Sequence, residues 1–317
     1  MPKSSDILVS FIIPHKNIPG LLHRCVSSIP QRSDIEIIIV DDNSDPDKVN
    51  ANSFRFPKDN VSVIFDKSGK RQGHARNIGI EKAQGEWIFF IDSDDFFYYS
   101  INQAIDNCKL STADIIYYKS NNLDSETYLP GDSRSSITNY SIDLYLSGDK
   151  WGEHMIRYRH PAPWGKFIRR TLIEKNHIRF PEIEKAEDFE FSYLCGHYAN
   201  IIEAHNIAIY CVTSRMGNLT STVTPTEALA VAKNEIEFLK FMIKNNLHTT
   251  PSYKIIEQDV FALLESIRAN TQDFVEGMQA LNSCGFSELY KKQMFGKIAR
   301  GRRNSKILAR IHKILHF

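Results

Sequence analysis

The feature that most constrains this chain is a series of short, almost unbroken apolar runs repeated at helix-length intervals. They are ILVSFII (residues 7–13), IEIIIV (35–40), VSVIF (61–65), EWIFFI (86–91) and ADIIYYK (113–119). A strand with one wet face alternates polar and apolar residues; runs this uniform are expected of strands buried on both faces. Between them lie LLHRCVSSI, ARNIGIEKAQG and SINQAIDNCKL, each able to form a helix. Strands alternating with helices of that length predict βαβ units and an α/β fold, with helices flanking a mostly parallel sheet. From about 130 to 225 the pattern is irregular. It includes the aromatic and basic stretch WGEHMIRYRHPAPWGKFIRR, a helical EDFEFSYLCGHYA and a strand-like IIEAHNIAIYCV. After Pro225 apolar residues recur at helical spacing. The expected organisation is one α/β domain over 1–223 and a helical C-terminal region over 224–317.

Charge is uneven along the chain. The formal net charge is +1, yet residues 291–317 hold nine Lys or Arg and no acid, leaving 30 basic against 38 acidic residues elsewhere. The tail's SKILARIHKILHF places apolar residues on one helical face and bases on the other, a pattern suited to an anionic membrane surface. An acidic body without aromatic–basic interleaving excludes nucleic acid as the expected partner. Five scattered cysteines without a CxxC favour free thiols in a reducing compartment. The N-terminal apolar segment is too short for a signal peptide, and no window reaches the roughly 18 apolar residues of a membrane span. These features predict a cytoplasmic protein, able to lie peripherally on the inner face of the membrane.

In an open parallel sheet, ligands bind beyond the carboxyl ends of the strands. Polar residues gather at those ends: Pro14-His15-Lys16-Asn17, Asp41-Asp42-Asn43-Ser44 and Asp92-Ser93-Asp94-Asp95. A basic loop carrying Lys67, Lys70, Arg71 and Arg76 follows the third run. Asp42 and its neighbours could be a helix cap, and the basic loop a solvated surface. The Asp92 cluster is more demanding, because three acids within four positions repel one another unless a cation or hydrogen bonds offset the repulsion. Mg²⁺ and Mn²⁺ take carboxylate oxygens and complete their shells with water and substrate phosphate.

VSFIIPHKN, IIIVDDNSDP and GHARNIGIEKAQGEWIFFIDSDDFF resemble, in order and spacing, the family 2 glycosyltransferases of GT-A fold. PWGKFIRRTLI and KAEDFEF resemble segments of the bacterial members that build surface polysaccharides such as capsule, O-antigen or lipopolysaccharide. The resemblance covers roughly residues 7–220 and implies an inverting, metal-dependent hexosyltransferase. Its donor would be a nucleotide-sugar, a UDP-sugar first of all, and its acceptor a hydroxyl of a glycan or lipid-linked glycan. It places Pro14 and Asn17 beside the nucleotide, Asp42 on the base or ribose, and Arg71 or Arg76 near the base and phosphates. Asp92, with Ser93 beside it, faces the ribose and the diphosphate. Asp94, joined by Asp92, is the ligand of Mn²⁺ or Mg²⁺. Asp188, preceded by Glu187, takes the position of the catalytic base, although two acids there also suit a helix N-terminus. Asp95 is expected only to begin the next turn. His15-Lys16 departs from the family's usual residues. Arg215–Ser221 loosely matches a segment that closes over the donor, and Trp164 is a candidate sugar platform.

Other classes fit less well. A sugar-nucleotide nucleotidyltransferase needs a Gly-rich loop with Arg after the first strand, where this chain has PHKNIPG. A phosphohydrolase with a D-x-D nucleophile would carry it on the first strand. A noncatalytic assembly partner would not need both Asp94 and Asp188.

Overall fold

The computed structural model describes residues 7–131, 135–183, 186–214, 224–266 and 270–283. The chain divides into two compact units, residues 1–183 with 187–218 and residues 184–186 with 219–317. The boundary expected at 223, the Arg215–Ser221 stretch, Cys284 and the basic tail over 291–317 all lie outside the described residues.

In the first unit the chain forms β1 (Val9–His15), α1 (Pro19–Ser28), β2 (Ile35–Asp42), β3 (Val61–Asp66), α2 (Arg71–Lys82) and β4 (Trp87–Phe90). These strands pair in parallel in the order β3-β2-β1-β4. Successive side chains point to opposite faces, which explains why the runs are apolar throughout. Val9, Phe11 and Ile13 of β1 join a core layer with Leu22 and Val26 of α1. Ile12 enters the opposite layer with Ala75 and Ile80 of α2. Because the strands are parallel, their carboxyl ends share one edge. Register sets His15 beside Asp41, and Asp42 beside Asp66.

Beyond β4 the sheet is no longer purely parallel. The chain continues through β5 (Phe96–Phe97), α3 (Ile101–Leu110), β6 (Ile115–Asp124), α4 (Ser136–Leu146), α5 (Gly152–Tyr158), β7 (Lys166–Arg169), α6 (Arg170–Lys175), α7 (Glu187–Tyr198) and β8 (Ile202–Ser214). β7 inserts antiparallel between β4 and β6; β8 runs parallel to β6, and β5 antiparallel to β8. The aromatic and basic stretch thus supplies a central strand. KFIR hides its character because a charged residue stands at each end. Lys166 is buried, and the Arg169 guanidinium lies 4.2 Å over the Trp87 ring.

The second unit contributes α8 (Pro225–Lys244), α9 (Pro251–Ser266) and α10 (Thr271–Ser283). Thr224 and Glu227 close a capping box at the start of α8, where two backbone donors would otherwise lack partners. Leu229, Ile236, Leu239, Val260, Leu264 and Met278 are buried in this unit, as the helical spacing predicts. None of the described helices is long and apolar enough to cross a membrane.

Gly79 sets how closely α2 approaches the sheet: a Cβ there would lie 2.3 Å from Ile12 Cγ2. Ile12 is β-branched and fully buried, so it has little freedom to yield. We expect Gly79→Ala to destabilise the fold in urea unfolding. Overpacking of about 1–3 kcal/mol should outweigh the ~1 kcal/mol that Ala gains in helix propensity. An unchanged midpoint would show that α2 can lift off β1 without cost.

Candidate active site

At the shared edge, β1 and β2 end in a hydrogen-bonded lattice. Asp41 Oδ2 accepts from His15 Nδ1 at 2.8 Å and from Ser44 Oγ at 2.5 Å. The Ile18 amide donates to His15 Nε2, so Nδ1 must carry the imidazole proton. Burial works against the Asp41 carboxylate, but the bonds from His15 and Ser44 outweigh it and hold the carboxyl below its ordinary range. Asn17, in the left-handed region at φ 62°, receives the Asp45 amide and donates its own amide to Ser44. Asp42 takes the Lys16 ammonium and the Arg71 amide, both at 3.2 Å. His15 and Lys16, the departure from the family pattern, therefore serve the two aspartates. Pro14 is buried within β1. Arg71 is exposed, at φ 74° where α2 begins.

Beside this lattice opens a cavity of about 330 Å³ lined by Asp41, Asn43, Ser44, Phe54, Phe65 and Asp66, among others. Phe54 and Phe65 meet edge to face at 5.0 Å, and Phe65 is 58% exposed. The sequence reading missed this wall. The available signal was Asp66, which ends β3 as Asp42 ends β2.

Arg76 lies deeper, 1% exposed, on the inner face of α2. Its Nη2 donates to Asp92 Oδ1 at 2.8 Å, and its Nη1 to Asp188 Oδ1 at 2.7 Å and Glu187 Oε1 at 3.2 Å. The guanidinium also lies 5.2 Å over Phe180. Phe180 is fixed by Asn77, whose side chain bonds both its carbonyl and its amide. The resemblance sets Arg71 or Arg76 near the base and phosphates; in the structure the Arg76 guanidinium joins the Asp92 turn to the start of α7. Glu187 is buried, whereas the Asp92 and Asp188 side chains each keep 32% exposure. Burial pushes the Asp188 carboxyl up to about 7, with the Glu187 and Asp92 charges adding to the shift and Arg76 and Lys166 opposing it.

The three acids of the Asp92 turn have distinct surroundings. Asp95 is no mere turn residue: it is 2% exposed and accepts from the Tyr210 hydroxyl and the Thr213 amide, both at 2.7 Å. Burial and the charges of Asp94 and Asp92 push its carboxyl upward. The Tyr210 oxygen also accepts the Asp92 amide at 3.0 Å. The Asp94 carbonyl takes Thr213 Oγ1 at 2.7 Å and Arg24 Nη2 at 2.5 Å. Ser93 is buried within the turn. Trp164 is 8% exposed and stacks on Tyr210 at 5.5 Å, so one ring face is committed to bracing this turn. Arg157 donates to the Gly196 and Ala199 carbonyls, and burial pulls His154 down to about 4. Cys25, Cys108, Cys195 and Cys211 are free and buried.

Residues 10–206 match the family model described as glycosyl transferase family 2. The chain belongs to that family. Among curated relatives, the glycosyltransferase EpsJ of Bacillus subtilis, itself described as uncharacterized, is 27% identical over 67% of this chain and 63% of its own length. The poly(ribitol-phosphate) β-N-acetylglucosaminyltransferase TarP of Staphylococcus aureus is 28% identical over 58% of this chain and 56% of its own. These matches span less than two thirds of each relative. The structure of S. aureus TarS 1–349 with UDP-GlcNAc is 18% identical, with a TM-score of 0.64 over 98% of this chain and 91% of that one. A mannosyltransferase from Pyrobaculum calidifontis, solved with GDP-Man and Mn²⁺, has a TM-score of 0.53 at 14% identity, over 96% and 85% of the two chains. At these identities the likeness establishes the fold, the GT-A type.

Among the described residues of this chain, no group of three or more His, Cys, Asp or Glu could hold a metal unaided. The donors beside the Asp92 turn are two carboxylates, one oxygen of Asp92 already engaged by Arg76. That set fits a Mg²⁺- or Mn²⁺-type ion whose shell is completed by phosphate and water, and does not fit an all-protein cage. Arg76 is the part that cannot be spared. Arg76→Met should cost about 3 kcal/mol in denaturant unfolding, because it strands the buried Glu187 carboxylate, with the half-open Asp92 and Asp188 beside it, without a cation. A loss below about 1 kcal/mol would contradict the bridging role.

Proposed function

We propose that this glycosyltransferase moves a sugar from a UDP-sugar to a hydroxyl of a surface-glycan acceptor, with Asp188 as general base. The observation that carries the reading is the Arg76 fork, which sets two half-open carboxylates, Asp92 and Asp188, on one buried cation. The first suits the donor side of the reacting carbon, the second the acceptor side. The cavity lined by Phe54 and Phe65 suits a nucleobase; Asn17 bonds its lining residue Ser44, and Pro14, Asn17, Asp42 and Arg71 are the further residues we assign to the donor side. UDP-GlcNAc in the TarS structure and the poly(ribitol-phosphate) in TarP's name support the donor and acceptor classes.

In the reaction the acceptor oxygen attacks the anomeric carbon as the bond to the diphosphate oxygen breaks. The electron pair leaves with UDP, and the acceptor proton passes to Asp188. One displacement from the opposite face inverts the anomeric centre. A base that titrates near neutrality is matched to that transfer. Glu187, buried on Arg76, acts as a brace. Asp94 and Asp92 would hold Mn²⁺ or Mg²⁺, which when bound supplies charge stabilisation to the leaving diphosphate.

Asp188 must be ionised to accept a proton. Its carboxyl is raised to about 7, so kcat/KM should climb about tenfold per pH unit below that value and level off above it. Asp188→Asn should keep UDP affinity in calorimetry while losing about 10²–10⁴-fold in turnover, together with the acidic limb. Near-normal turnover in that variant would rule Asp188 out. For the metal, Asp94→Ala should abolish the dependence of UDP binding on Mn²⁺; unaltered Mn²⁺-dependent heats would remove Asp94 from the ligand set. A thermal-shift panel of nucleotide-sugars would identify the donor.

A further inference from the structure

Lys166 is an anomaly that the reaction as described does not use. It is fully buried in β7, and among the described residues it makes no ion pair. Its ammonium donates to the His160 carbonyl at 3.2 Å and lies 5.7 Å over the Tyr117 ring. Burial pulls it down to about 8, which leaves it cationic at neutral pH. Around it, both His160 ring nitrogens, the Tyr117 hydroxyl and Ser120 Oγ are buried without a protein hydrogen-bond partner. The His160 and Tyr117 rings stand 5.0 Å apart. Removing an ammonium from water costs several kcal/mol, which one carbonyl does not return. A methionine would fill similar space without that penalty. A residue that costs stability where an apolar one would fit is expected to have another task.

The task follows from what the ammonium holds. The His160–Gly165 loop turns at Gly165, φ +73°, where a Cβ would lie 3.2 Å from Ser120 Oγ and 3.3 Å from the Tyr118 carbonyl. Lys166 fastens the loop's first carbonyl. Ser192 Oγ of α7 fastens the next two, donating to Pro161 at 2.7 Å and Ala162 at 3.3 Å. Ser192 lies four residues after Asp188, one turn along the same helix face. At its far end the loop carries Trp164, stacked on Tyr210, whose hydroxyl links the Asp92 amide to the Asp95 carboxylate. One loop therefore touches the helix of Asp188 directly and reaches the turn of Asp92–Asp94 through Tyr210.

We propose that Lys166 is a positioning residue for sugar transfer: its buried ammonium fixes the His160–Gly165 loop, which holds the Asp188 helix and the Asp92–Asp94 turn in mutual register. The inference rests on those acids forming the transfer site. Lys166 itself does not touch the reacting atoms. Its charge also attracts that of Asp188, which adds to the same alignment.

The test is Lys166→Met in the full chain, with Lys166→Arg beside it. UDP release from a panel of UDP-sugars with Mn²⁺ and water as acceptor reads kcat and KM, and thermal unfolding reads Tm. Misalignment should lower kcat in the Met variant by about 30- to 100-fold, with the donor KM within about twofold. Its Tm should hold or rise by ~2–4 °C, because an unfavourable buried charge is gone. The Arg variant should recover part of the lost kcat. Wild-type kcat in Lys166→Met overturns the proposal. So does failure of that variant to fold, or a fall in Tm that parallels the lost activity, since each gives Lys166 an ordinary structural role. If the wild type neither binds UDP nor releases it from any donor, the transferase reading fails first and takes this one with it.

Discussion

Arg76 sits on α2 almost out of water, and carboxylates from two distant segments reach it, Asp92 beyond β4 and the Glu187–Asp188 pair opening α7. The sequence separations are 16, 111 and 112 residues. A guanidinium in that position is tolerable only if acids meet it, and buried acids are tolerable only if a cation meets them. Each segment is therefore held by the electrostatic needs of the others, and none can drift alone. The apolar layers set the distances. Gly79 lets α2 lie against Ile12, which brings Arg76 close to the carboxyl edge of the sheet, and Asn77 pins Phe180 beneath the guanidinium. Three acids on one cation leave the cluster formally at −2. That surplus is consistent with the upward shift of Asp188 and with a site ready to take positive charge.

The parallel half of the fold was legible because a two-sided buried strand has no polar face to disguise it. Val9, Ile12, Ile37 and Ile38 could be read from hydrophobicity alone. β7 was not legible. Its Lys166 and Arg169 stand at its two ends, and a four-residue segment is too short for alternation to register. Asp42, Asp92 and Asp188 could be singled out because short motifs carry them, and the fold brings Asp92 and Asp188 together on Arg76. Arg24 and Tyr210 could not, since they act on the Asp92 turn from 70 and 118 residues away. No local pattern marks an arginine on α1 as the partner of a carbonyl beyond β4. Phe54 and Phe65 were missed for a related reason, because an exposed aromatic at a strand end looks like an ordinary surface residue until the facing ring is seen.

The repulsion among Asp92, Asp94 and Asp95 is relieved residue by residue. Asp95 is drawn inward to the Tyr210 hydroxyl and the Thr213 amide, which donate to its two oxygens, while burial and the Asp94 and Asp92 charges push its carboxyl upward. Asp92 gives one oxygen to Arg76 and keeps an exposed edge. Asp94 is placed through its own carbonyl, between Thr213 and an Arg24 guanidinium lying 5.2 Å over the Phe96 ring. Protein contacts thus brace the turn at each of its acids. A site shaped in advance loses less on reorganisation when charge develops in it, and that is the condition under which fixed dipoles and cations lower a barrier most. By this logic Asp95 matters as much as the two acids proposed to face the donor, because its bonds from the Tyr210 hydroxyl and the Thr213 amide anchor the turn that carries them to β8.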